Sequence, residues 1–215
     1  VSTVKSYVEI NKELGMPHIA NCEATALCKY SLQAGSDLPI LEVMNGNPDE
    51  LVPFERGAMR AYNLKIWSSV IAHEWYGGVR HSDTLKRKRL ELAYKYMYLS
   101  GANSILMESG DEAIKSYGQQ YDKDSEICGD YQRVLAQTAK YIKEDVRPVG
   151  GPKVKLAFVS GRYDAWGGFL GSSLWDQFGR EEWGHGEAEY SWRILDELGT
   201  RRKWAEGANF GENDL

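Results

Sequence analysis

The sequence has little cysteine, no long apolar run and no excess of positive charge. Three cysteines in 215 residues, Cys22, Cys28 and Cys128, do not make a disulfide framework. Cys22 and Cys28 could pair, but spacing alone does not require it. No C-x-x-C occurs, which removes a thiolate zinc site. No stretch approaches the roughly 20 apolar residues of a membrane span, so no membrane partner is expected. Net charge is −5, and the basic residues do not gather into a dominant patch. Nucleic acid is therefore not the expected partner. The chain opens on Val1 and enters a helical pattern directly, which reads as a chain without a signal peptide. A start without Met points to processing or to a piece of a longer chain.

What is abundant is aromatic. Aromatics make up 12% of the chain, with seven Trp and thirteen Tyr, in an otherwise ordinary globular composition of 42% apolar and 27% charged residues. Trp75, Trp166, Trp175 and Trp183 stand beside Gly, Asp and Glu rather than inside apolar runs. Each alone reads equally well as a large, half-buried side chain. As a group they suit a wet cleft, where a ring covers the apolar face of a sugar and polar neighbours bond its hydroxyls.

Strand and helix patterns alternate along the first three quarters. Val4, Tyr7, Val8 and Leu14 mark a first helix stopped by Gly15. "PHIANCEA" (Pro17 to Ala24), "LPILEVM" (Leu38 to Met44), "LKIWSSVIA" (Leu64 to Ala72), "ANSILME" (Ala102 to Glu108) and "KVKLAFVS" (Lys153 to Ser160) read as five strands. Asp49 opens a helix with Leu51, Phe54, Ala58 and Tyr62 at helical spacing, and Pro53 is expected in its first turn. A longer helix runs from about Asp83 to Ser100, its inner face expected at Leu85, Leu92, Ala93, Tyr96 and Leu99. Lys86 to Arg89 reads as its solvated face. A polar loop then leads to a helix carrying Tyr131, Val134, Leu135, Thr138 and Ile142. A Gly- and Trp-rich segment reaches about Gly186, a last helix spans Glu187 to Leu198, and the polar tail after Gly199 is expected to be loosely held.

Short apolar strands linked by helices predict a parallel α/β sheet in one domain, residues 1–215. A TIM-type barrel and an open doubly wound sheet both fit, and both place function at the carboxyl ends of the strands. Each predicted strand finishes near an acid: Glu23, Glu42, Glu74, Glu108 and Asp164. The three at 42, 74 and 108 recur at about the length of a βα unit, so they are expected side by side on one rim. Acids there could merely cap helices or pair with rim arginines. A cluster of carboxylates also suits glycosidic cleavage, one acid protonating the leaving oxygen and another attacking the anomeric carbon or activating water. Glu74 and Glu108 are the first pair, because burial at the end of an apolar run helps keep one protonated. Glu42 and Asp164 are reserves. Asn45, His73, His81 and Arg162 are candidate partners for sugar hydroxyls, and Trp75, Tyr76, Trp166 and Trp175 are candidate stacking rings.

Other chemistries are weaker. "HEWYG" lacks the second His of H-E-x-x-H, and a metal held by His73, Glu74 and His81 is the lesser reading. "GGFLGSS" matches neither Walker A nor G-x-G-x-x-G, and no G-x-S-x-G occurs. No cofactor or metal is called for.

On the segments "IAHEWYGGVRHSDTLKRKRLELAYKYMYLSGANSILMESG" (Ile71 to Gly110) and "GRYDAWGGFLGSSLWDQFGREEWGHGEAEYSWRILDELG" (Gly161 to Gly199), the sequence resembles TIM-barrel glycoside hydrolases of the bacterial polysaccharide-degrading kind. The first has a strand, Glu, aromatics and Gly, then a helix leading to a strand that ends in Glu. The second resembles a long aromatic loop folded over a cleft. The resemblance implies a secreted enzyme, periplasmic or extracellular, with a carbohydrate substrate. Five strands against the eight of a complete barrel of about 250 residues allow this chain to be its carboxyl-terminal part, with the rest on another segment. Two further readings stand beside it: a non-catalytic carbohydrate-binding barrel, and an open α/β enzyme acting on a phosphorylated small molecule.

Overall fold

The structure, a computed structural model, describes residues 2–23, 28–43, 48–71, 84–107, 114–116, 119–121, 126–145, 147–149, 151–157 and 159. Its elements are α1 (Ser2–Glu13), β1 (Ala20–Glu23), α2 (Cys28–Ala34), β2 (Leu38–Val43), α3 (Pro48–Ala61), β3 (Ser68–Ile71), α4 (Thr84–Ser100), β4 (Ser104–Met107), β5 (Ile114–Ser116), β6 (Gln119–Tyr121) and α5 (Glu126–Glu144). Strands β1 to β4 form one sheet in chain order, every pair parallel. β5 and β6 form a separate antiparallel hairpin.

Parallel neighbours need a crossover, and α2, α3 and α4 supply the three that the sheet requires. Alternation along each strand then divides the sheet into two faces. Leu41 and Val43 of β2 are level with Ser69 and Ile71 of β3, and these with Ile105 and Met107 of β4. This face meets the helices. Leu41, Val43 and Ile71 share one buried cluster with Leu51, Val52 and Met59 of α3, Leu90, Ala93, Tyr94 and Met97 of α4, and Tyr131 and Val134 of α5. Ile105 and Met107 pack against it.

The amino ends of the strands are tied by side chains. The Asp37 carboxylate accepts from the Ile19 backbone N–H at 2.7 Å and meets His18 Nδ1 at 3.2 Å, joining the approaches to β1 and β2. Asn103 donates its backbone N–H to the Trp67 carbonyl at 2.8 Å, and its side-chain oxygen accepts from the Trp67 N–H at 3.2 Å, joining β3 to β4. Gly101, at φ +119°, turns the chain out of α4, and the N–H of Ala102 closes on the Met97 carbonyl at 3.1 Å. Tyr98 then fastens α5 to that turn. Its hydroxyl donates to the Asp145 carbonyl at 2.8 Å and accepts from the Arg147 N–H at 3.2 Å. The Arg147 guanidinium lies 4.6 Å from the Tyr98 ring centre and donates to the Ala102 carbonyl at 2.8 Å.

Several sequence expectations need correction. The α4 inner face is Leu90, Ala93, Tyr94, Met97 and Tyr98, whereas Leu92 and Leu99 are 47% and 40% exposed. This helix carries apolar residues all round, so more than one stripe fits its sequence. Tyr7 and Leu14 of the first helical segment also face solvent. Pro53 falls in the second turn of α3, because that helix begins at Pro48. α2 and the β5–β6 hairpin had no counterpart in the sequence reading. Residues 153–157, expected in a fifth strand, have no regular structure, and Val154 and Leu156 are exposed. The expected helix Glu187 to Leu198 lies outside the described residues.

Candidate functional site

The second face of the sheet is the one to examine for a ligand. Along β2, Leu38, Ile40 and Glu42 alternate with the core residues, and none of the three belongs to the buried cluster. Glu42 is level with Val70 of β3, and Val70 with Leu106 of β4. One step toward the amino ends, Cys22, Ile40, Ser68 and Ser104 form the next row. A strand spacing of about 4.8 Å makes the Glu42–Val70–Leu106 row about 10 Å long.

A shallow depression of about 290 Å³ opens over this face, lined by Cys22, Glu42, Val70, Leu106 and Met107. Leu106 is 53% exposed and Cys22 is also exposed, while Glu42 and Val70 are half-buried. The floor is therefore mostly apolar with one carboxylate at its β1–β2 side. Such a surface can carry the apolar face of a ring while the carboxylate accepts from a hydroxyl. It lies at the carboxyl half of the sheet, since Glu42, Val70 and Leu106 each stand one residue before the end of their strands.

Of the sequence-predicted site residues, the structure places Glu42 here. Glu74, Glu108, Asp164, Asn45, His73, Trp75, Tyr76, His81, Arg162, Trp166 and Trp175 lie outside the described residues. Chain connectivity still relates some of them to the strands. Glu108 is the residue after Met107, His73 is two after Ile71, and Asn45 is two after Val43. Glu23 ends β1, but its register partner is Leu41. Glu23 therefore stands one level short of Glu42, while the expected rim of Glu42, Glu74 and Glu108 falls mostly outside the described residues. The offset of Glu23 is one residue of register, which strand spacing in the sequence does not encode.

The groove also contains residues that sequence reasoning passed over. The sequence marks Cys22 only as a possible disulfide partner, and Val70 and Leu106 only as strand interior. For Val70 and Leu106 the signal is parity, each alternating with residues of its strand that face the helices, and Cys22 joins their face through its pairing with Ile40. Among the described residues no group of three or more His, Cys, Asp or Glu side chains could hold a metal ion. No described helix is long and apolar enough to cross a membrane. Comparison of the chain with protein-family models, with curated proteins and with solved structures gave no match.

Proposed function

We propose that this chain is the catalytic (β/α) domain of a glycoside hydrolase, or part of one, acting on a polysaccharide or oligosaccharide. The observation that carries the reading is the position of Glu42, a half-buried carboxylate in an apolar groove at the carboxyl half of a parallel sheet. A TIM-type barrel is the architecture we favour. An open doubly wound sheet reverses its strand order at its ligand crevice, whereas β1 to β4 run in unbroken chain order. Sequential parallel order with right-handed crossovers keeps the linking helices on one side, as in a barrel wall whose other face is internal.

In this reading the substrate sits at the carboxyl ends of the strands, with Glu42, one residue before the end of β2, holding or activating a group at one side. Glu108 follows β4 directly and Glu74 follows β3 by three residues, so both acids come after the carboxyl ends of neighbouring strands along the chain. One of them protonates the glycosidic oxygen. The other acts as nucleophile or as the base for water. Glu42 and Asp164 are the reserves, and Trp75, Tyr76, Trp166 and Trp175 supply stacking faces. A periplasmic or extracellular location belongs to the same proposal.

A panel of polysaccharides assayed for new reducing ends tests it. Glu74→Gln and Glu108→Gln should each abolish turnover with the fold intact, because an amide keeps the shape but removes proton transfer and anionic stabilisation. Near wild-type rates in both variants would move the chemistry to Glu42 or Asp164. Binding of a polymer without any new reducing ends would make the chain a carbohydrate-binding module, and neither binding nor turnover across the panel would end the carbohydrate reading.

A further inference from the structure

We propose that α1 is the interface of a two-fold dimer, its solvent-facing stripe of Thr3, Tyr7, Ile10 and Leu14 pairing antiparallel with the same stripe of a second copy of this chain. The inference concerns assembly and is independent of the proposed chemistry.

α1 carries apolar residues on two sides, and the fold covers one of them. Val8, 2% exposed, turns toward the body of the domain, where α1 packs on α2. Tyr7, Ile10 and Leu14 are 50%, 55% and 75% exposed. Steps of three and four residues put them on one stripe, and Thr3, also exposed, continues it toward the amino end. At 3.6 residues per turn the centre of this stripe lies about 130° round the helix from Val8. A second helix can therefore approach without meeting the domain that holds the first.

The carboxyl end of the stripe is fixed. The Leu14 N–H donates to the Ile10 carbonyl at 3.0 Å, which keeps Leu14 in the last turn. Gly15, at φ +76°, then reverses the chain. Its N–H donates to the Lys12 carbonyl at 3.0 Å, and that of Met16 to the Asn11 carbonyl at 3.1 Å. Met16, 52% exposed, thus comes back beside the turn that carries Ile10 and Leu14.

Steps of four, three and four are the seam of a two-heptad coiled coil. In an antiparallel pair Tyr7 stands opposite Ile10 of the second copy, and Thr3 opposite Leu14, giving four layers that each match a larger side chain with a smaller one. The positions beside the seam are Val4, Ser6, Asn11 and Glu13. Glu13 falls near Ser6 of the second copy, so like charges do not meet. Lys5 and Glu9 pair with each other at 3.9 Å on the far side of the helix. The stripe is self-complementary, as a two-fold interface requires, and has no charge pattern that would select a different partner.

The area is sufficient for a weak dimer. Tyr7, Ile10, Leu14 and Met16 expose roughly 400 Å² together, within the range of patches that serve contacts. Two copies cover about 800 Å² of apolar surface, and the polar flanks bring the total to about 1,000 Å², the lower limit for a specific interface. Two heptads are too short to pair as free peptides. Here α1 is already folded against α2, so the dimer does not bear the cost of ordering it.

Sedimentation velocity on the full chain tests the proposal. We expect the mass to move from one chain toward two within about 1–100 µM, the strength of an interface at the small end of the range. Ile10→Glu and Leu14→Glu should each weaken association at least about 10-fold, because a charge enters an apolar seam, while circular dichroism stays unchanged. Should one of them fail to fold, the other decides in the same way. Leu92→Glu, at an exposed leucine of α4, should leave association as it is. The register is read by mixing two variants. Ile10→Glu and Tyr7→Lys should each be monomeric alone, but an equal mixture should associate at least about 10-fold more tightly, since antiparallel pairing sets the new glutamate opposite the new lysine. A wild type that stays monomeric throughout overturns the proposal, whatever else covers the stripe. So does a dimer that survives both glutamate variants, and so does a mixture that associates no better than its components.

Discussion

If the second face of the sheet is a groove and not core, neighbouring strand residues must respond very differently to truncation. Ile71 and Leu106 provide the test. Ile71, on β3, is fully buried in the cluster joining the sheet to α3, α4 and α5. Leu106, on β4, is 53% exposed and lines the depression beside Glu42. Ile71→Ala removes three methyl or methylene groups from a packed interior and leaves a cavity, at a cost of about 2–5 kcal/mol. Leu106→Ala removes a similar volume from a surface that water already touches. Full burial of a leucine side chain is worth about 1.5–3 kcal/mol, so at half exposure the loss is about 1 kcal/mol, with no enclosed cavity to add. Urea denaturation followed by circular dichroism would read both, with unchanged m-values showing that the same two states are compared. Ile71→Val, expected to cost about 0.5–1.5 kcal/mol, calibrates the buried side. Equal costs for Ile71→Ala and Leu106→Ala would mean that both faces are packed. The groove would then be closed to any ligand, and the functional reading built on Glu42 would fall with it.

Three further substitutions address the frame that holds the groove. Tyr98→Phe keeps the ring under the Arg147 guanidinium but leaves the Arg147 N–H and the Asp145 carbonyl without their hydroxyl partner. It should cost about 1–3 kcal/mol in urea unfolding, and a cost near zero would show that the clamp carries no stability. Asp37→Ala removes the carboxylate that bonds Ile19 N–H and His18, and should lower stability by about 1.5–3 kcal/mol, with Asp37→Asn recovering part of it. If the alanine variant melts with the wild type, the β1–β2 tie is unimportant. Gly101→Ala forces a side chain into φ +119° with its Cβ 3.4 Å from Trp67 Nε1, and should cost at least about 1–3 kcal/mol by calorimetry; a neutral result would show that this turn relaxes.

Much of the architecture was legible because the apolar runs are short and separated by turn residues. "LPILEV" has only one sensible reading between Asp37 and Asn45, and it forms β2 at nearly the predicted limits. The same holds for α5, whose Tyr131, Val134 and Thr138 are spaced for one buried face and are buried. The buried face of α4 differs from the expected one because periodicity needs contrast. With Leu90, Leu92, Ala93, Tyr94, Tyr96, Met97, Tyr98 and Leu99 in sequence, only the neighbouring elements select the stripe. α2 has seven residues, too few for a helical period to declare itself. The groove was half legible. Glu42 could be singled out as an acid ending an apolar run, but its neighbours Cys22, Val70 and Leu106 are chosen by register across three strand pairs. That is long-range information, fixed by the core residues on the opposite face and by the ties at the amino ends.

Those ties have a consequence for how stability and chemistry are divided. The side-chain bonds from Asp37 and Asn103 act at the amino ends of the strands, and Ser69 Oγ of β3 donates to the Leu41 carbonyl of β2 at 3.1 Å within the sheet. The Tyr98–Arg147 clamp also sits at the amino ends, beside the turn into β4. At the carboxyl ends the strands stop within one residue of Glu42, Val70 and Leu106, and Asn45, His73, Glu74, Trp75, Tyr76, His81 and Glu108 come next along the chain after β2, β3 and β4. A sheet fastened at its amino ends helps to hold the spacing of side chains at its carboxyl ends. Substitutions at Asp37, Tyr98 and Gly101 should accordingly shift the unfolding midpoint while leaving binding per folded molecule unchanged. A variant at the amino ends that altered ligand affinity at full folding would show that the two ends are coupled through the strands, and would break this division.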